Sequence, residues 1–113
     1  MNSLRNRVQL IGRLGADPEV KQLEKGMRMS RFSLATNEVL MREGKKVQQT
    51  QWHTLVVWGK LADTCARFLK KGKEVAVEGK IIYHTWKDKQ GLEHNSTEIV
   101  VSELVMLGVS TPD

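Results

Sequence analysis

One run of this 113-residue sequence, Gln51-Trp52-His53-Thr54-Leu55-Val56-Val57-Trp58-Gly59-Lys60, contains two of the three tryptophans and has the composition of a β-strand. It is rich in threonine, valine and tryptophan and stops near a glycine. Because successive side chains of a strand point to opposite faces, Trp52 and Trp58 share one face, and Leu55 and Val57 share the other. We expect the leucine and valine face to supply a core. The two indoles lie about 20 Å apart, at 3.3 Å per residue, so they need partners other than each other.

The tryptophans of this run allow two interpretations. Such residues are typical of the core of a small barrel or of a subunit interface. They are also flanked by lysines, namely Lys45, Lys46 and Lys60, in a chain with few other aromatic residues. Flat aromatic faces among cationic side chains stack unpaired nucleobases while neutralising their phosphates. The run alone leaves both interpretations open.

Composition indicates a single domain with a polyanionic partner. The formal charge is +5 and the isoelectric point is near 9.6, values that favour nucleic acid but also serve solubility. The single cysteine, Cys65, excludes an internal disulfide and a four-cysteine zinc site, and we expect it to be a small buried hydrophobe in a reducing environment. No apolar stretch approaches the ~20 residues of a membrane span, and the N-terminus lacks the apolar centre of a signal peptide. We expect a soluble, cytoplasmic protein.

Alternating patterns predict strands on both sides of this run. Residues 5–14 place Val8 and Leu10 on a buried face, and residues 27–36 do the same with Ser30, Phe32 and Leu34. The polar residues 38–50, around Gly44, are predicted to form a long and mobile hairpin connection.

The pattern changes to a helical period between residues 60 and 71. The apolar stripe there consists of Leu61, Cys65, Phe68 and Leu69. We expect Lys70 and Lys71 to lie in the last turn of this helix and Gly72 to end it.

Two further strands follow the helix. Residues 73–81 alternate again, with Val75, Val77 and Ile81 on the buried face and a bend or bulge at Gly79. This strand continues to Trp86, turns at residues 87–91 and returns as the strand 97–107, which makes a protruding hairpin.

This order of elements predicts an all-β OB-fold. We expect a five-stranded Greek-key barrel with one α-helix between strands 3 and 4 and a protruding strand 4–5 hairpin, over residues 1–107, followed by a short disordered end at 108–113. Such barrels bind oligonucleotides or oligosaccharides on the face of strands 2 and 3 and on the loops after strands 1 and 4. Trp52, Trp58 and Trp86 all fall in these regions.

Nine segments, in their order and spacing, resemble the bacterial single-stranded DNA-binding protein family over nearly the whole chain. They are Asn6-Arg7-Val8, Leu10-Ile11-Gly12-Arg13-Leu14-Gly15, Asp17-Pro18-Glu19-Val20, Ser33-Leu34-Ala35-Thr36-Asn37-Glu38, Thr50-Gln51-Trp52-His53, Trp58-Gly59-Lys60-Leu61-Ala62, Leu69-Lys70-Lys71-Gly72, Val77-Glu78-Gly79 and Thr97-Glu98-Ile99-Val100-Val101. The resemblance implies a non-catalytic, cofactor-free homotetramer that protects single-stranded DNA in replication, recombination and repair on the nucleoid. The residues themselves leave a dimer and a dimer of dimers open.

The resemblance also implies roles for individual residues. Bases would stack on Trp52, Trp58 and Trp86. Phosphates would be contacted by Arg7, Lys60 and Lys71.

The sequence departs from the family pattern in two places. Members often carry another aromatic residue shortly after the Ala-Thr-x-Glu segment, where this chain has Val39-Leu40-Met41, so a stacking platform is missing there or is replaced by apolar contact. Typical members also continue through a flexible linker to an acidic tip that recruits repair and replication enzymes, whereas this sequence stops at Pro112-Asp113. The resemblance is therefore to a short form without the acidic tail, which leaves the binding of replication and repair proteins open.

Two other function classes remain as alternatives. A primosomal-type adaptor that binds replication proteins would have few tryptophans on its binding face, and a hydrolase on the same scaffold would need clustered carboxylates or histidines. The three histidines, His53, His84 and His94, have no metal-ligand spacing, so no metal site is predicted. We expect His53 to be a hydrogen-bonded buried or interface residue.

Overall fold

The computed structural model describes residues 4–108, which form six strands and one α-helix. The strands are β1 (Val8–Leu14), β2 (Glu19–Gln22), β3 (Arg28–Arg42), β4 (Lys45–Trp58), β5 (Glu74–Lys87) and β6 (Glu93–Met106). The helix α1 (Lys60–Phe68) lies between β4 and β5, and a single 3-10 turn spans Glu24–Gly26.

Five of the strands close into a barrel in the order β1-β5-β6-β4-β3-β1, and β2 extends the outer edge of β3. All pairs are antiparallel except β4 with β6. The barrel closes where Arg13 and Leu14 of β1 pair with Ala35 and Leu34 of β3. Gly12 permits this closure, because a Cβ atom there would lie 2.2 Å from the carbonyl oxygen of Ala35. This topology confirms the predicted OB-fold.

The core fills the barrel with the residues that the alternating patterns had assigned to it. Leu34, Leu55, Val57 and Val75 are completely buried. The helix packs on β3 and β4, where Ser30 donates a hydrogen bond of 2.9 Å from Oγ to the carbonyl oxygen of Ala62. The bulge expected at Gly79 is present as a register shift between Glu78 and Gly79.

The connection predicted at residues 38–50 is wrong. β3 and β4 stay paired from Met29 with Trp58 to Arg42 with Lys45, and they form one long antiparallel ribbon. The turn is only Glu43-Gly44, whose φ angles of 50° and 77° are both left-handed. The outer part of the ribbon, residues 37–50, projects from the barrel with most side chains exposed on both faces, so it lacks the apolar alternation that marks a strand with one buried face.

The predicted end of the helix is also wrong. α1 ends at Phe68, and Leu69 has extended backbone angles although its N–H still bonds to the carbonyl oxygen of Cys65. Phe68 is 57% exposed and is not part of the buried stripe. Lys71 and Gly72 belong to the turn that follows, because the Gly72 N–H bonds back to β1.

Two further differences concern the edges of the domain. The short strand β2 escaped the sequence analysis because all four of its side chains are exposed. The short C-terminal end predicted at 108–113 lies, from residue 109 onward, outside the described residues.

Candidate nucleic-acid interface

All three tryptophans project from one continuous outer face of the barrel, formed by β4, β6 and β5. Trp52 and Trp58 lie on the same side of β4 as Thr54, which pairs with Glu98 of β6. Glu98 pairs in turn with Ile82 of β5, and the same unbroken ladder continues to Trp86 opposite His94. Paired residues share a face, and so do residues that differ by an even number along a strand. The exposed fractions of Trp52, Trp58 and Trp86 are 62%, 38% and 46%, so none of them is a core residue.

Trp52 lies over the loop that follows β1. A Cβ atom at Gly15 would lie only 2.4 Å from Cζ3 of the indole, so the ring covers the space that a side chain would fill. The same loop carries Asp17, whose Oδ1 accepts a hydrogen bond of 2.8 Å from the backbone N–H of Lys71. The loop therefore links the Trp52 platform to the exposed Lys71.

Trp58 and Lys60 lie at the other end of the same strand. Trp58 is the last residue of β4, and Lys60 is the first residue of α1. The glycine between them has a φ of 71°, and its N–H bonds to the carbonyl oxygen of Arg28 at 3.0 Å. Among residues 4–108, Lys60 takes part in no ion pair.

An ion pair that the sequence analysis missed crosses the face between Trp52 and Trp58. Arg31 of β3 pairs in register with Val56, and its Nη2 lies 2.8 Å from Oε2 of Glu98 on β6. The bridge therefore spans β4, and Val56 is only 4% exposed although it lies on the tryptophan face. The sequence held no signal for this contact, because it depends on the parallel pairing of β4 with β6.

Trp86 is held in a cluster at the tip of the β5–β6 hairpin. The imidazole of His94 stacks on the indole, with ring centroids 4.4 Å apart and an interplanar angle of 19°. His94 donates from Nε2 to Oδ2 of Asp88 at 2.8 Å. The hydrogen bond from His94, followed by the one from the backbone N–H of Leu92, holds the pKa of Asp88 below its usual value. Trp86 was predictable from the sequence as a site residue, whereas its partners His94 and Asp88 were not.

The structure places Arg7 apart from the tryptophans. Its guanidinium forms an ion pair with Glu78, whose Oε1 also accepts a hydrogen bond of 3.0 Å from Gln9. Gln9 and Glu78 pair in register on the outer face of β1 and β5, and Arg7 directly precedes β1, so this group lies at the Gly79 bulge and not beside Trp86. Lys60 and Lys71, in contrast, lie beside Trp58 and the Trp52 loop.

The segment that departs from the family pattern continues the tryptophan face along the ribbon. Ala35 pairs with Trp52, so Val39 and Met41 share the face of that indole. They are 67% and 65% exposed. Leu40 points to the opposite face of the ribbon and pairs with Val47.

The histidine and cysteine residues considered as candidate site residues lie in environments typical of structural residues. His53 shares a hydrogen bond of 2.9 Å with Oγ1 of Thr36, as its position on the core side predicted. Cys65 is fully buried, and burial raises the pKa of its thiol to about 11. Within residues 4–108 no group of three histidine, cysteine or acidic side chains is arranged to hold a metal ion. In the same part of the chain no helix has the length and apolar character needed to cross a membrane.

Comparison with known proteins places this fold and face in a family. A family model described as "Single-strand binding protein family" matches residues 5–107. Single-stranded DNA-binding protein 1 of Chlorobaculum tepidum is 44% identical over 91% of this chain and 65% of its own length. The single-stranded DNA-binding protein of Xanthomonas campestris is 42% identical over 91% of this chain and 60% of its own length. The chain thus spans about three fifths of the length of these relatives.

A solved structure supports the same assignment. The complex of the Plasmodium falciparum protein of this type with single-stranded DNA superposes with a TM-score of 0.85, at 34% identity, over 91% of this chain and 95% of the other. The family match over residues 5–107, together with these relatives, shows that the chain belongs to the single-strand binding protein family.

Proposed function

We propose that this chain binds single-stranded DNA with little sequence preference and without catalysis, in replication, recombination and repair on the nucleoid in the cytoplasm. The observation that carries the proposal is the presence of three exposed tryptophans on one continuous face of the barrel. The relatives named as single-stranded DNA-binding proteins and the Plasmodium falciparum complex with DNA support it.

The proposed mechanism combines base stacking with phosphate neutralisation. Bases stack on Trp52, Trp58 and Trp86, since every base has a π-face and stacking therefore tolerates any sequence. Lys60 and Lys71 neutralise phosphates beside the first two platforms, and the net charge of +5 attracts the strand. Arg7 reaches a phosphate only by leaving Glu78, so its predicted contact is the least favoured of the three by geometry.

A fluorescence titration with oligothymidylate tests the proposal. We expect strong quenching of tryptophan emission, and we expect replacement of Trp52 or Trp86 by alanine to weaken binding by about 1–3 kcal/mol, the range known for stacking on proteins of this kind. The Tyr83→Ala variant is a matched control, because Tyr83 is 78% exposed on the opposite face of the Trp86 hairpin. If both tryptophan variants bind normally but unfold at lower temperature, these residues serve packing and the proposal is wrong.

We further propose that the chain assembles as a homotetramer through the outer face of β1, β5 and β6. In this sheet Ile11 pairs with Ala76, and Ala76 pairs with Val105. Ile11 and Val105 are 62% and 59% exposed, and a groove of about 380 Å³ runs along them. Among the described residues, no strand pairs with the second edge of β1 before Arg13. An apolar row beside an open strand edge favours association between copies.

Light scattering coupled to gel filtration tests the assembly. We expect the unaltered chain to elute with the mass of four copies and Val105→Glu to elute as a smaller species. Val39→Glu is the control, because Val39 is also exposed but lies on the ribbon of the tryptophan face. A Val105→Glu variant that keeps the mass of the unaltered chain would place the interface elsewhere.

A further inference from the structure

The tip of the β5–β6 hairpin holds an aromatic cluster that is braced from one side. The side chains of residues 83–87 are all exposed, so the barrel core does not support the Trp86 indole. His94 instead covers one face of the ring in a stacked contact, and Trp86 still keeps 46% of its surface exposed.

His94 is fixed in turn by Asp88. Because a carboxylate only accepts hydrogen bonds, the 2.8 Å contact places a proton on Nε2 of His94. The other oxygen of Asp88 accepts bonds of 2.9 Å from the backbone N–H groups of Gln90 and Leu92. The carboxylate thus ties the imidazole to the turn that joins the two strands.

We propose that His94 and Asp88 are positioning residues for Trp86. Together they form a pair, called the brace below, that fixes the indole in one orientation, so that its uncovered face stacks one nucleobase. This inference rests on the proposed function. An exposed tryptophan without a packed neighbour would occupy several rotamers, and binding would have to select one of them. The stacked imidazole supplies the missing neighbour without needing a core beneath the hairpin.

The charged groups around the brace come from both strands of the hairpin. On the face of Trp86 they are Asp88 and His84, and on the opposite face they are Lys87 and Glu93, which pair with each other in register. His94 itself is 42% exposed. A direct contact between His94 and a phosphate is therefore the competing explanation, and the experiment must separate it from positioning.

A double-mutant cycle makes that separation. The affinity for fluorescein-labelled oligothymidylate is measured by anisotropy for the unaltered protein, His94→Ala, Trp86→Ala and the double variant, at one pH and one salt concentration. We expect His94→Ala to weaken binding about two- to tenfold, the range of an aromatic pair. In the Trp86→Ala background the same change should have no effect, because a positioning residue acts only through the ring that it positions.

Two further variants test the nature of the contact. His94→Phe keeps a stacked ring without the imidazole, and we expect it to restore binding to within about twofold of the unaltered protein. Asn95→Ala is the matched control, because it removes the 3.0 Å bond from Thr85 to Asn95 on the other face of the same hairpin. We expect it to bind normally.

A readout that does not involve DNA checks the positioning directly. The near-ultraviolet circular dichroism of Trp86 is obtained as the difference between each protein and its Trp86→Ala counterpart. This signal should fall in His94→Ala and persist in His94→Phe, since it reports how firmly the indole is held.

The outcomes that overturn the inference are distinct. An equal loss from His94→Ala in the presence and absence of Trp86 means that His94 contacts DNA itself. Equal losses from His94→Ala and Asn95→Ala mean that general loosening of the hairpin is responsible. Failure of the unaltered protein to bind oligothymidylate would refute the proposed function, and the inference with it.

Discussion

Replacement of Gly12 or Gly15, two glycines of the β1 region, by alanine should separate the effect on DNA binding from the effect on the stability of the fold. Neither has a left-handed φ, so alanine is compatible with both backbones. At Gly12 the new methyl group would meet the backbone of Ala35, at 2.2 Å from its oxygen and 3.0 Å from its carbonyl carbon. At Gly15 it would meet the Trp52 ring, at 2.4 Å from Cζ3 and 2.9 Å from Cη2.

The expected magnitudes follow from what can move. Ordinary contact between carbon atoms is about 3.5 Å, so the Trp52 ring must retreat by about 1 Å in Gly15→Ala. It is 62% exposed and has room to do so. The cost is offset by the reduced entropy of the unfolded chain, about 0.4–1 kcal/mol, so we expect little change in stability. The backbone of Ala35 cannot retreat without opening the closure of β1 on β3, so Gly12→Ala should cost about 3 kcal/mol.

Thermal unfolding and DNA titration give opposite rankings if this reasoning holds. We expect the Tm of Gly12→Ala to fall by about 10 °C or more and that of Gly15→Ala to change by a few degrees at most. Affinity for oligothymidylate, measured well below both transitions, should fall about fivefold in Gly15→Ala, since part of one stacking contact is lost. It should stay unchanged in Gly12→Ala.

One pattern would refute the argument. If Gly15→Ala lowers Tm as much as Gly12→Ala and leaves DNA affinity unchanged, then Trp52 stabilises the barrel by packing and does not stack a base.

Three other predictions rest on charge and burial. Affinity should fall linearly with salt on a log–log plot, with a slope of about −0.7 per phosphate neutralised, and Lys60→Glu should flatten that slope without changing base preference. An affinity that does not change with salt would exclude nucleic acid as the partner. The pKa of Asp88 is lowered in the folded chain. The stability that its carboxylate adds to the hairpin turn should therefore be fully present at pH values above the pKa of an unfolded aspartate, near 4, and should be lost as the pH falls through the lower pKa of the folded state. An Asp88 carboxyl that titrates above 4 by NMR would contradict this. The Cys65 thiol, with its pKa raised by burial to about 11, should react with a thiol reagent at pH 8 only after unfolding; rapid reaction of the folded protein would show that the site opens.

The sequence predicted those parts of the fold in which one face of a strand meets the core. Alternation identified Phe32, Leu34, Leu55 and Val57 as core residues because water covers one side of those strands and the barrel interior covers the other. The bulge at Gly79 was also predictable, since a glycine within a strand marks a close approach, and a Cβ there would lie 2.1 Å from the oxygen of Val100.

The parts that escaped prediction lack that contrast between faces. The outer part of the β3–β4 ribbon and β2 are exposed on both sides, so no alternation between a buried apolar face and an exposed polar face marks them. Phe68 has the spacing of a buried helix residue, but α1 ends there and the side chain points outward. Among the site residues, the tryptophans were identified by type, whereas Arg31 and His94 were not, because their roles depend on partners from other strands.

The bulge between Glu78 and Gly79 explains how one pair of strands serves two surfaces. β6 has one extra residue at this position. As a result, Val101 and Leu104 both point toward the core, and Ser102 and Glu103 both point outward. On one side of the bulge the outer face of β5 and β6 carries the apolar row proposed to join the copies. On the other side it carries the tryptophan face.

The bulge also bends the strand pair, because an extra residue increases the local twist. Trp86 lies beyond the bulge from Ala76 and Val105, in the part of the strand pair that is joined to β4 through Glu98 and Thr54. The row proposed for self-association does not include any of the three indoles. The proposed base-stacking residue Trp86 and the proposed assembly residues Ala76 and Val105 thus lie on the same two strands, on either side of the bulge.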